Sequence, residues 1–392
     1  MESILSALFW IFLALIFYAY LGYGILLYFL IKVRRWMGKK GPVFDPDFEP
    51  EVTLLVAAYN EEDFIAEKIR NSLALDYPRE KLKLLFVTDG SDDRTPEIVG
   101  QFPEVRLMHE PERAGKIAAV QRAMPTVDTP ITIYTDANTF LNPEAVRMMV
   151  RHYADEKVGA VSGEKRIRSR EKDAAQGAGE GIYWKYESTL KRWDSELYSV
   201  VGAAGELFSV RTELHEDIPR DTIIEDFYTT MRIAEKGYRV RYEPEACATE
   251  APSASVKEEL KRKVRIAAGA MQAMWRLRGM LNPLKHGMLT FQYISHRVLR
   301  WTLAPLGLVW VFVTNLLLAL MGSPFFQLLL LLQVAFYLAA WLGWRLEQRQ
   351  LKVKALFVPY YFCVMNYAVF AGFFRHMKGS QSVLWERAKR GG

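Results

Sequence analysis

Two stretches without a charged side chain constrain this 392-residue chain before anything else does. Residues 3–31 and 301–344 contain no Asp, Glu, Lys or Arg, and a helix needs about 20 mostly apolar residues to cross a bilayer. The first stretch accommodates one span, the second two, with Gly322-Ser323-Pro324 as the turn between them. Lys32, Arg34, Arg35, Lys39 and Lys40 follow the first stretch. By the positive-inside tendency they put the N-terminus outside and the chain from about Gly41 in the cytoplasm. A cleaved leader carries its basic residues ahead of a short apolar core; here Met1-Glu2 comes first, which predicts an uncleaved anchor. Arg297 and Arg300 on one flank of the second stretch, and Arg345 and Arg349 on the other, place both its ends inside. Residues 355–374, interrupted by Pro359, stay open. If they span, the tail with Lys378, Arg387, Lys389 and Arg390 lies outside, against the charge rule; if they are re-entrant or in-plane, it lies inside. The expectation is a multi-pass protein of the inner (cell) membrane whose large polar centre is cytoplasmic.

Within that centre, short β-rich runs at 52–57, 82–88 and 131–135 alternate with helical patterns at 61–73, 95–102 and 116–124. Such alternation predicts a doubly wound α/β fold with parallel strands. Ligands of these sheets bind beyond the carboxyl ends of the strands. Three polar clusters fall there: Tyr59-Asn60-Glu61, Asp89-Gly90-Ser91-Asp92-Asp93 and Asp136-Ala137-Asn138. Each is also ordinary turn and cap chemistry; three at successive strand ends point to a nucleotide. The net charge of +6 has much of its excess beside the apolar segments, where orientation and anionic lipid account for it, so nucleic acid is not an expected partner. Cys247 and Cys363 fall in different regions and suggest neither a disulfide nor a metal cluster, and the six histidines show no zinc spacing. The domain reading is 1–40 anchor and basic flank, 41–255 cytosolic domain, 256–300 amphipathic interface helices, and 301–392 membrane segments and basic tail.

The ordered set Ala57-Ala58-Tyr59-Asn60-Glu61, Thr88-Asp89-Gly90-Ser91, Gly115-Lys116, Thr135-Asp136-Ala137-Asn138, Gly202 to Gly205, Ile224-Glu225-Asp226 and Arg262-Lys263-Val264-Arg265 resembles the family 2 glycosyltransferases. The likeness is to their membrane-embedded branch, which includes chitin, hyaluronan, cellulose and poly-N-acetylglucosamine synthases. It implies a GT-A-type, Rossmann-like domain and an inverting reaction with a nucleotide-diphosphate sugar. Carried over by position, Ala57, Tyr59, Glu61, Asp89 and Lys116 resemble the nucleotide pocket, with Asp136, Arg262 and Arg265 completing the donor site. Asp136 and Asn138 resemble the motif for Mg2+ or Mn2+, Asp226 the catalytic base, and Gly205, Glu225 and Ile266 the acceptor side.

These residue types suit that reaction. A base must take the proton of an acceptor hydroxyl as it attacks the anomeric carbon, and cations must stabilise the departing diphosphate. Two departures bear on the expectation. The metal motif ends in neutral Asn138 instead of a second acid, and Ile266 stands where the processive branch carries tryptophan; Trp193 or Trp275 is the candidate aromatic platform instead. Gly177-Ala178-Gly179-Glu180-Gly181 is read as helical, not as a dinucleotide loop. Segments 257–280 and 291–300 are read as amphipathic helices at the membrane surface. Three functions follow: a synthase extending a β-linked glycan from a UDP-sugar such as UDP-N-acetylglucosamine and passing it across the membrane, with an export partner left open; transfer of one sugar to a lipid-linked acceptor; or an inactive glycan- or nucleotide-binding assembly subunit.

Overall fold

A computed structural model of the chain describes residues 1–38, 41, 44–167, 176–251, 256–349 and 353–381, with the side chains of 176–183 and 354 left aside. Lys39 and Lys40 of the basic flank and Arg387, Lys389 and Arg390 of the tail lie outside the described residues.

One eight-stranded sheet organises the centre: β1 (Val52–Ala58), β2 (Leu82–Asp89), β3 (Arg106–Glu110), β4 (Ile131–Asp136), β5 (Phe140–Leu141), β6 (Val158–Ile167), β7 (Leu207–Arg211) and β8 (Arg239–Glu250). Its order is β3-β2-β1-β4-β7-β6-β8-β5. The first four strands pair in parallel, as expected for βαβ units, with the helices Ile65–Leu73, Thr95–Gly100 and Lys116–Ala123 as crossovers. The rest is mixed: β7 is antiparallel to β4 and β6, β5 is antiparallel to β8, and β6 and β8 run parallel. The purely parallel expectation therefore holds for half of the sheet. Strands buried on both faces read as unbroken apolar runs, and the residues sort by alternation. Val52, Leu54, Val56, Leu84 and Phe86 pack on one face with Ile65, Ile69 and Met149. Leu55, Leu85 and Val87 pack on the other with Ala119, Phe227, Met231 and Tyr293. Strand order reverses between β1 and β4, so the crevice beyond their carboxyl ends is the switch point where such sheets bind ligands.

Four helices are long and apolar enough to cross a membrane: Glu2–Trp36, Leu303–Leu320, Pro324–Gln348 and Ala355–Met377. The first is not apolar surroundings throughout. Its N-terminal half packs on Leu303–Leu320, with Phe12 stacked on Trp310 at 6.0 Å and Phe9 against Phe326 at 5.2 Å. Its second half leaves that bundle, burying Tyr23, Leu27 and Ile31 against Leu190 and Leu197 of the helix Gln176–Leu197. Beyond the π-helical turn Tyr18–Gly22 the helix is thus packed on the central domain, although the charge-free stretch runs on to Ile31. Segment 291–300 also departs from expectation. Gln292, Tyr293 and His296 are wholly buried, and His296 lies between Asp194 (2.5 Å) and Glu187 (3.1 Å), so it belongs to the protein interior, not the membrane surface. The Gly177 to Gly181 run is helical, as read. Cys247 is buried and Cys363 half-buried, and both are free thiols.

The last apolar helix runs beside the charged helix Val256–Arg276. Phe357, Tyr360 and Tyr361 surround Val256, and further along a Cβ on Gly372 would come within 2.5 Å of the Ala267 methyl. Only glycine permits that approach.

Candidate active site

A cavity of about 1350 Å³ lies between the sheet's carboxyl edge, the helix Val256–Arg276 and the membrane-side helices. Of the sequence-predicted residues it brings together Lys116, Asp136, Gly205, Glu225, Asp226, Arg262, Arg265 and Ile266. Ala57, Tyr59, Glu61, Asp89 and Asn138 do not line it.

The acidic pair arises where a loop meets the helix Glu225–Glu235. That loop is clamped by the helix Val256–Arg276: Gln272 accepts from the Ile223 N–H (3.1 Å) and donates to the Asp221 carbonyl (2.8 Å), and Arg276 reaches Thr222 Oγ1 (2.8 Å) and Asp221 Oδ2 (2.6 Å). Behind it, Gly202 sits at φ +85° with Phe227 against its α-carbon, where any Cβ would come within 2.1 Å of the ring. Gly205 brings bare backbone up to Asp226, a Cβ there lying 3.2 Å from Oδ2. Burial, and next the charge of Glu225, push the Asp226 carboxyl up to about 7 in spite of the favourable Phe227 N–H. A carboxylate at a helix start ordinarily stays ionised; here desolvation and a like charge outweigh the dipole.

Lys116 opens the helix Lys116–Ala123, directly after Gly115 at φ +96°. Its Nζ bridges Asp136 Oδ1 and Glu225 Oε1, both at 2.8 Å. Burial opposes its charge, but the two carboxylates outweigh it and hold Lys116 above the usual lysine range. Beneath Asp136, the wholly buried Lys68 donates to Thr135 Oγ1 (3.0 Å) and the Thr139 carbonyl (2.7 Å), and burial pulls it down to about 7. Nothing in the sequence pattern marked Lys68; it lies on the helical face that also carries Ile65 and Ile69 and reads as polar surface.

The two arginines are not equivalent. Arg262 is tied to Glu250 (3.2 Å) and stands 3.9 Å from Glu206, and both acids also hold the buried Lys165. Arg265 faces the catalytic end: Glu225, Asp226 and Asp136 all act on it, though burial lowers it overall. Both arginines line the cavity, one beside Glu225 and Asp226 and the other beside Glu250 and Glu206.

The nucleotide-side residues lie at the predicted strand ends with partners of their own. Asp89 accepts from the backbone N–H groups of Ala114 (2.9 Å) and Gly115 (2.6 Å) and so fixes the loop that delivers Lys116. The Arg113 guanidinium stands 3.7 Å over the Tyr59 ring. The Glu61 backbone N–H donates to Thr95 Oγ1 at 2.8 Å. Asn138 presents a buried Oδ1 that no protein group satisfies. Like the Asp136 carboxylate two residues earlier, that oxygen is a hard donor of the kind a Mg2+ or Mn2+ ion accepts, and such ions take few protein ligands. No group of three or more His, Cys, Asp or Glu suited to a metal occurs among the described residues.

Neither predicted aromatic platform belongs here. Trp193 packs on Tyr28 of the first helix at 5.8 Å, and Trp275 is 69% exposed beside Arg278. Trp184 and Trp301 line the cavity instead.

Comparison with known proteins decides the family. A family model described as "Glycosyltransferase like family 2" matches residues 50–269. This chain belongs to that family. It is a glycosyltransferase with a GT-A-type fold, in agreement with the resemblance read from its motifs. It is 28% identical over 261 residues to poly-beta-1,6-N-acetyl-D-glucosamine synthase of Staphylococcus aureus, covering 64% of this chain and 62% of that protein. The match thus spans less than two thirds of that relative. The probable glycosyltransferase YdaM of Bacillus subtilis is 24% identical over 369 residues, 87% of each chain. Among solved structures, the mannosyltransferase PcManGT from Pyrobaculum calidifontis, in complex with GDP-Man and Mn2+, superposes with a TM-score of 0.70 at 25% identity, over 95% of this chain and 99% of that one.

Proposed function

We propose that this glycosyltransferase works at the cytoplasmic face of the membrane, inverting a nucleotide-diphosphate sugar as it extends a β-linked glycan. The observation that carries the reading is Asp226: a half-buried carboxylate pushed up to about 7, against bare backbone at Gly205, in a cavity shared with Lys116, Asp136 and Arg265. A base works best when its pKa lies near the working pH. Asp226 takes the proton from the acceptor hydroxyl as that oxygen attacks the anomeric carbon, and the bond to the diphosphate breaks on the opposite face. Arg265 and Lys116 stabilise the charge gathering on the leaving diphosphate. Asp136 and Asn138 would hold a divalent cation, which supplies further positive charge to the diphosphate when bound. The mannosyltransferase with GDP-Man and Mn2+ supports a nucleotide-sugar donor and a metal, and the poly-N-acetylglucosamine synthase supports a glycan product.

A second reading, transfer of one sugar to a lipid-linked acceptor, is favoured by the apolar membrane-side wall of the cavity, where Leu21, Val358, Phe362 and Val369 lie. The test is the full chain in lipid nanodiscs with Mg2+ or Mn2+ and radiolabelled UDP- and GDP-sugars. A product ladder absent in Asp226→Asn supports the synthase, one lipid-extractable product supports the second reading, and no turnover of any donor would sink both.

A further inference from the structure

The cavity's membrane-side wall contains a residue that the sequence motifs do not mark. Trp301 ends the short helix Leu299–Trp301 at the mouth of the span Leu303–Leu320. The helix is broken just after it, Thr302 adopting φ −130° and ψ −84°, with its hydroxyl turned back onto the Val298 carbonyl at 2.6 Å. The break lets the indole leave the line of the span and enter the cavity that holds Asp226. There it packs edge-on against Phe227, the residue after Asp226, with ring centroids 5.3 Å apart. Phe227 is seated on Gly202 and half of the acidic turn is clamped from the helix Val256–Arg276, so the indole is held in fixed relation to the carboxylate. The Arg297 guanidinium lies 5.6 Å from its ring centre.

The position is also right for an acceptor. One step back, the Arg300 Nε donates to the Ala19 carbonyl at 2.9 Å, which puts this wall level with the point where the first helix leaves the bundle. Trp301 and Asp226 line one cavity, whose wall here also carries Leu21, Val358, Phe362 and Val369 from the apolar helices. Indole offers a broad apolar face with a negative quadrupole, which suits the C–H face of a pyranose. Ile266, on the helix opposite, offers no such face.

We propose that Trp301 is the platform on which the terminal sugar of the acceptor rests while Asp226 removes its hydroxyl proton. The inference rests on the glycosyltransferase reading above. Its test uses the full chain in nanodiscs, the donor that the wild type turns over, and a β-linked N-acetylglucosamine pentamer as acceptor probe. Trp301→Leu keeps apolar packing on Phe227 without the aromatic face, Trp301→Phe keeps a face, and Trp275→Ala controls for loss of an exposed tryptophan. The expected result is an acceptor KM raised roughly tenfold in Trp301→Leu, equivalent to about 1.4 kcal/mol. Trp301→Phe recovers most of it, and donor KM and nucleotide affinity stay at the wild-type values. Unchanged acceptor KM in Trp301→Leu overturns the proposal, as does joint loss of donor and acceptor parameters that phenylalanine does not restore. Failure of the wild type to use the pentamer overturns it in its glycan form. Donor turnover in the same samples checks the glycosyltransferase reading separately.

Discussion

Asp226 and Glu225 are adjacent in sequence yet titrate in opposite directions, because Lys116 pairs with Glu225 and leaves Asp226 to burial and like charge. Two outcomes follow. kcat/KM should rise with pH through about 7, since the base acts only when deprotonated, and Asp226→Asn should remove that limb together with turnover. For stability the sign is opposite. The folded state binds the Asp226 proton more tightly than the unfolded chain, so stability falls as pH rises from about 3.8 to about 7. Asp226→Asn should therefore melt higher than wild type at pH 8, with the gap shrinking toward pH 4, as differential scanning fluorimetry in detergent can read. The arginines divide likewise. Arg265→Ala should weaken nucleotide-sugar binding by about tenfold or more, as expected for a charge-assisted contact. Arg262→Ala should chiefly lower the melting temperature, because it removes a cation from beside Glu206 and Glu250. Calorimetric titration with the nucleotide separates the two.

At the scale of elements, the helix Val256–Arg276 does more than carry basic residues. Its Gln272 and Arg276 hold the loop that delivers Glu225 and Asp226, while Arg265 faces the acids from the same helix. Small misplacements of a base are costly to rate. Gln272→Ala should lower kcat roughly tenfold or more while leaving donor affinity near wild type, a split that steady-state kinetics resolves. The charge density of 257–265 gave no hint of this clamp, because the partners of Gln272 and Arg276 are backbone and side-chain groups some fifty residues earlier. The βαβ units, by contrast, were legible in local pattern: apolar runs for β1, β2 and β4 and helix starts at Thr95 and Lys116.

For the whole molecule, the course of the final helix leads to a prediction about its cytoplasmic end. Leu356 meets Gly343 at the base of the third apolar helix, Asn366 accepts from the Tyr20 hydroxyl at 2.7 Å, and Gly372 meets Ala267. Arg375 and Gln381 line the same cavity as Asp226. The helix therefore runs beside the charged helix Val256–Arg276, with contacts to it near both ends. A cysteine replacing Ser380, in a chain with Cys247 and Cys363 replaced by serine, should react with a membrane-impermeant maleimide only once inverted vesicles expose the cytoplasmic face. Labelling in intact cells would show instead that the helix crosses. The sequence by itself determined the apolar spans, the parallel half of the sheet and the strand-end acids, because hydrophobic period and charge-free length are local properties. Only the tertiary structure decided the mixed half of the sheet, where the first helix leaves its apolar neighbours for the central domain, which arginine faces Glu225 and Asp226, and that Trp301 instead of Trp193 or Trp275 reaches the cavity. Each of those depends on groups far apart in the chain meeting across a packed interface, and no local pattern records which partner a side chain will find.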